Sequence, residues 1–108
     1  MKRIYNKLVR DKIPDVIKAN GENPVTRVLS ADEYKAELER KLGEEYMEVV
    51  EAVGSSRLEE LADVYEILKA LAVLENSSIE EVQKIAEAKA QKRGAFNDRI
   101  YLEEVIEK

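Results

Sequence analysis

An all-α fold, an antiparallel core of three main helices, is predicted by three observations on this 108-residue sequence. Serine-led capping patterns recur ahead of three long segments, apolar residues within those segments fall on one helical face, and the connections between them are short. Short connections force neighbouring helices to run antiparallel. The whole of residues 1–108 reads as one domain, without internal repeat or low-complexity linker.

Taken in order, the first 30 residues hold both prolines and an early basic cluster, Lys2, Arg3, Lys7, Arg10 and Lys12. Pro14 can open a short helix that stops near Asn20-Gly21, where glycine accepts the left-handed turn. Val25 to Leu29 reads as a short extended piece. Ser30-Ala31-Asp32-Glu33 is a capping box, the serine covering one orphan amide and the glutamate another, and it opens a helix expected to reach about Val53. Ser56-Arg57-Leu58-Glu59 repeats the device for a second long helix to about Asn76. Ser78-Ile79-Glu80-Glu81 repeats it for a third, which Gly94 ends. The stretch Ile100 to Ile106 is β-rich enough to pair with Val25 to Leu29, although Glu103 and Glu104 equally suit a helix.

Composition removes whole mechanisms. The chain has no Cys and no His, which excludes a Cys/His zinc site, a thiol nucleophile and an imidazole base. Acid–base work falls to Glu, Asp, Lys or Tyr. A net charge of −5 argues against a protein that grips a nucleic-acid backbone. No apolar run approaches the ~18 residues of a membrane span, and no apolar signal core follows Met1-Lys2-Arg3. A soluble, cytoplasmic protein without nucleic-acid or membrane partners is expected.

The most informative residues are acidic. Glu45 and Glu48 on the first long helix, and Glu60 and Asp63 on the second, are two pairs at three-residue spacing, so each pair shares a helical face. On the first helix Glu45 falls in the middle of the stripe Leu38, Leu42, Val49 and Ala52, with Glu48 at its edge. On the second, Glu60 and Asp63 occupy the first turn of the stripe Val64, Ile67, Leu71 and Leu74. An ionised carboxylate in such a stripe requires a cation or a water-filled cleft. Four converging carboxylates invite a hard divalent cation such as Mg²⁺, with Mn²⁺ as a substitute. The third helix carries Lys89 and Arg93 on its inward stripe, placed for phosphate oxygens. Plainer readings exist for other charges: Glu39, Glu51, Glu66 and Glu75 as solvated residues, Glu33, Glu59 and Glu81 as caps, Arg93 as a dipole-favoured cation, and Lys7, Arg10 and Lys12 as surface charge. The second helix is apolar on almost every side from Leu61 to Leu74, more than a chain of this size can cover. Self-association into a homodimer or homotetramer, completing a helical bundle, is therefore expected.

Glu44-Glu45-x-x-Glu48, 11 intervening residues, then Glu60-x-x-Asp63 resembles the EExxE…ExxD signature of the MazG-like all-α nucleoside triphosphate pyrophosphohydrolases. Tyr5-Asn6-Lys7-Leu8-Val9-Arg10-Asp11-Lys12-Ile13-Pro14 and Lys92-Arg93-Gly94-Ala95-Phe96 resemble a small single-domain branch, often labelled phosphoribosyl-ATP pyrophosphohydrolase-like. The resemblance spans nearly the whole chain. It implies Mg²⁺ ligands at Glu45, Glu48, Glu60 and Asp63, an accessory or water-orienting acid at Glu44, and phosphate contacts from Lys89 and Arg93. Lys7 and Arg10, in the N-terminal run, join the expected substrate-binding set, and Glu44 and Glu48 are the expected catalytic acids. The gap of 11 is short for the family and leaves little room for a lid or base-recognition loop. An aromatic sandwich would have to draw on Phe96, Tyr5, Tyr46, Tyr65 or Tyr101.

The activity so implied is Mg²⁺-dependent hydrolysis of a nucleoside triphosphate to the monophosphate and pyrophosphate, for clearing non-standard or excess nucleotides. Phosphoribosyl-ATP is the alternative substrate. A non-catalytic helical dimer that binds nucleotide or a partner protein is the alternative of a different class.

Overall fold

The computed structural model describes residues 1–107 and, over them, contains four helices and no strand. They are α1 (Ile13–Ala19), α2 (Ala31–Glu51), α3 (Ser55–Leu74) and α4 (Ile79–Arg93). The α2/α3 hairpin is the principal packing unit, and α4 lies more lightly against α3. No helix among the described residues is long and apolar enough to cross a membrane.

Local chemistry explains most boundaries. Pro14 sits in the first turn of α1, and Gly21, at φ 82°, carries the chain out of it. Before α2 the capping box forms in full: the Glu33 amide donates to Ser30 Oγ at 3.3 Å and the Ser30 amide donates to Glu33 Oε1 at 3.1 Å. Arg27 adds two hydrogen bonds to the same carboxylate, 3.2 and 2.8 Å. For α4, Ser78 Oγ accepts from the Glu81 amide at 3.2 Å, and Lys92 and Arg93 fall in the last turn, where the helix dipole favours cations.

The Glu33 carboxyl is held far below its ordinary value, from 4.5 to about 2, chiefly by the Arg27 hydrogen bonds and then by those from Ser30. A depressed carboxyl pKa gives stability that is present above the unfolded value and lost as pH falls through the folded one. Wild type should therefore exceed Glu33→Gln in melting temperature above pH ~5, and the gap should close between pH 4.5 and about 2. Thermal melts of both proteins across that range test the cap.

The start of α3 departs from the sequence expectation. Its N-cap is Gly54, with no side-chain cap, so the Ser56/Glu59 box does not form. Neither Ser55 nor Ser56 caps the helix, because the glycine ahead of them takes the N-cap position. At φ 60° and ψ −134° it turns the chain sharply enough for helix to begin at Ser55. Arg57 Nε bridges the corner by donating to the Ala52 carbonyl at 2.9 Å. Nothing lies within 4 Å of a Cβ built on Gly54, so Gly54→Ala isolates the conformational cost. A loss of about 1 kcal/mol or more is expected in denaturant melts.

The terminal segments also differ from expectation: Val25–Leu29 and Ile100–Ile106 do not pair, and residues 100–107 have no regular structure. Val25 and Val28 are 99% and 96% exposed, and Ile100 and Ile106 84% and 82%, so neither segment rests on the packed surface that a ladder needs.

Packing leaves the chain unfinished. Only Leu38, Ile67 and Ala72 are buried hydrophobics among the described residues. The radius of gyration is 18.9 Å, against about 13 Å for a compact chain of this length. Accessible surface is 10162 Å², against about 6,100 Å² for a compact monomer of this mass. The helices are formed, but most of their apolar surface has no neighbour.

Candidate metal and phosphate site

The two apolar stripes meet along the hairpin as their periodicity requires. Leu38 and Ile67 are buried, and Leu42, Val49, Ala52, Val64, Leu71 and Leu74 are half-buried on the facing sides. Glu45 from α2 and Glu60 and Asp63 from α3 sit within this seam, all three half-buried, with one oxygen from each lying within 4.8 Å of the others. The antiparallel pairing brings the second and third turns of α3 beside the later half of α2.

Electrostatics make the trio unusual. Glu45 Oε2 is buried and has no hydrogen-bond partner among the described residues. An ionised Glu60 can only accept, so it serves Glu45 only by sharing a proton. Burial pushes the Glu45 carboxyl up, the neighbouring Glu60 and Asp63 push it further, and Lys41 pulls against them. The donor set is oxygen only, the choice of a hard cation, and two ligands on such an ion lie at most about 4 to 5 Å apart. These three residues fit a divalent cation in chemistry and in spacing.

Arg10 reaches into the same place. Its guanidinium donates to Asp63 Oδ1 at 2.6 Å, joining the N-terminal segment to α3 across 53 positions. Half of Arg10 stays exposed, so the pair contributes about 1 kcal/mol or less to stability. Its importance is positional: a cation already stands at the edge of the carboxylates.

Other expected residues fall elsewhere. Glu48 is exposed and outside the trio, because three residues of helix rotate it about 60° from Glu45 towards solvent. Glu44 lies 3.6 Å from Arg40 and, with Lys7, lines a separate shallow recess beside Leu8, Glu37 and Lys41. Lys89 and Arg93 are exposed, and no ion pair joins them to an acidic side chain among the described residues. Within one chain α4 therefore does not deliver its cations to the carboxylates. Glu39 and Glu66 do form the plain helix-surface pairs expected of them, with Lys35 at 3.9 Å and Lys69 at 3.4 Å.

Two features of the site were not anticipated. Lys41, which counters the charge on Glu45, carries a signal in hindsight, since it lies four residues ahead on the same helix. Beside the trio an apolar groove of 320 Å³ opens between Leu42, Tyr46 and Val49 of α2 and Leu61 and Val64 of α3. Its sequence signal is the set of apolar residues flanking each acidic one.

No family model matches the chain, and no solved structure matches it. Over 42 residues it is 57% identical to an uncharacterized protein of Mycolicibacterium smegmatis (strain ATCC 700084 / mc(2)155), a match covering 39% of this chain and 43% of that relative. The chain thus aligns with less than half of the relative's length.

Proposed function

We propose that the protein is a divalent-cation-dependent nucleotide pyrophosphohydrolase, acting on a nucleoside triphosphate or a related phosphoanhydride and working as a self-associated helical bundle. The observation that carries this reading is the meeting of Glu45, Glu60 and Asp63 in an apolar seam with a buried, unpartnered Glu45 oxygen. Surface charge alone does not explain it, because leaving an acceptor buried and unserved costs roughly 1–3 kcal/mol.

The three carboxylates hold the cation, which when bound supplies charge neutralisation along the phosphate chain. Arg10, released from Asp63 or shared with it, offers its guanidinium to phosphate oxygens. Glu48 is one turn along from Glu45 and open to solvent. It orients the attacking water and takes its proton as the new bond to the α-phosphorus forms, while the bond to the departing pyrophosphate breaks. Glu44, already engaged by Arg40, is the weaker candidate for that role. Lys89 and Arg93 join the site only if a second chain supplies them. Phosphoribosyl-ATP remains the alternative substrate.

The deciding experiment is a nucleotide panel with Mg²⁺ or Mn²⁺, scored for pyrophosphate. Release from at least one triphosphate is expected, and excess chelator should abolish it. Orthophosphate as sole product, or full activity in chelator, overturns the assignment.

One observation favours a second reading, a non-catalytic helical dimer. Arg10 already compensates Asp63 at 2.6 Å, and a protein cation can hold an acidic seam together without metal. The product assay joined to calorimetry separates the two: pyrophosphate release supports the enzymatic reading, and divalent binding without pyrophosphate release supports the non-catalytic one.

A further inference from the structure

Beyond α4 lies a segment whose composition does not suit its surroundings. Phe96, Ile100, Tyr101, Leu102, Val105 and Ile106 are 74–96% exposed, in a stretch without regular structure. Gly94 at φ 81° and Arg99 at φ 56° turn the backbone at its root. The molecule measures 68 × 33 × 23 Å, while α2 is only ~32 Å long. The long dimension exceeds the hairpin, so part of the chain outside it projects beyond its ends. Compared with a compact monomer, each chain shows about 4,000 Å² of surplus surface, or about 8,000 Å² for a pair. A standard interface covers about 1,600 Å², so covering this surplus takes an extensive, interlocked association.

We propose that residues 95–107 form an exchange arm that lies in the apolar groove of a second copy, between that copy's α2 and α3. The groove and the arm are complementary in kind, since the groove walls are Leu42, Tyr46, Val49, Leu61 and Val64 and the arm offers aromatic and branched apolar side chains. The groove adjoins the carboxylate seam, and Lys92 and Arg93 stand at the arm's root. Docking in trans therefore carries two cations towards the acids of the other copy, where α4 cannot bring them within its own chain. The acidic site is then built from two chains.

The inference extends the self-association in the proposed function but does not depend on the reaction. The chain has no native cysteine, which makes cross-linking clean. Tyr46→Cys would be co-expressed with Ile100→Cys, Leu102→Cys or Val105→Cys in separate pairings and oxidised. A disulfide-linked heterodimer is expected for at least one pairing, and none when Tyr46→Cys is paired with Lys18→Cys on α1. A second measurement uses full-length Ile100→Asp/Leu102→Asp, whose dissociation constant by sedimentation should rise at least about 100-fold. The arm exchange is overturned by a disulfide that forms only within one chain of a Tyr46→Cys/Leu102→Cys variant, by no disulfide at all, or by unchanged association of the aspartate variant. Neither readout needs catalysis or metal, so its failure is distinct from failure of the pyrophosphohydrolase reading.

Discussion

Glu60→Gln should lower Mg²⁺-dependent pyrophosphate release by about two orders of magnitude or more and raise the Mg²⁺ concentration needed for half activity. The substitution keeps the shape of a residue in the seam while removing one of the three carboxylates clustered there. The metal-free protein should melt at the same or a higher temperature, because one member of a like-charge group has been neutralised beside the buried Glu45 oxygen. Loss of activity without loss of stability is the signature of a ligand. Glu59→Gln is the control one position away. Glu59 is exposed and makes no cap, since α3 starts from Gly54, so both activity and melting temperature should be unchanged. Activity lost in Glu59→Gln and kept in Glu60→Gln would show that the seam has been assigned to the wrong helical face.

The second large effect concerns assembly. Tyr46 and Val50 form an exposed stripe on α2, continued by Val53 just past its end, and Leu58, Leu61, Tyr65 and Leu68 form one on α3, with exposures from 40% to 76%. Val50→Asp/Leu58→Asp places two charges on these stripes at positions 54% and 68% exposed, where the single chain tolerates them. If a second copy covers the stripes, each charge must be desolvated on association. At about 2 kcal/mol apiece, the two charges together should raise the dissociation constant by about a thousandfold. Sedimentation velocity over micromolar concentrations, with circular dichroism to confirm unchanged helix content, checks this. A wild-type monomer throughout that range would remove the self-association from the proposed function.

Much of the helical architecture was legible in the residues because it is decided locally. Ser30 completes its capping box with Glu33, Ser78 forms half of one by accepting from the Glu81 amide without a return bond from the Glu81 side chain, and Gly94 ends α4. The stripes of α2 and α3 could be read from 3.6-residue periodicity, so the convergence of Glu45 with Glu60 and Asp63 was legible too. The start of α3 was less so, because Ser56 and Glu59 have capping-box spacing while the backbone turn at Gly54 begins the helix one residue ahead of Ser56. Pairing of Val25–Leu29 with Ile100–Ile106 was a misreading of β-propensity, which describes fit to a half-buried surface that neither segment meets here.

What the sequence determined by itself is therefore the set of helices and which side chains share a face, since hydrogen bonds four residues apart impose a fixed rotation per residue. What only the tertiary structure decided is which faces meet and how closely. It brought Arg10 to Asp63 across 53 positions, opened a groove beside the acids, left Glu48 outside the trio and left Lys89 and Arg93 in solvent. Those outcomes depend on the crossing of helices and the path of an irregular segment. Both are set by summed contacts between residues far apart in the chain, which no local spacing encodes.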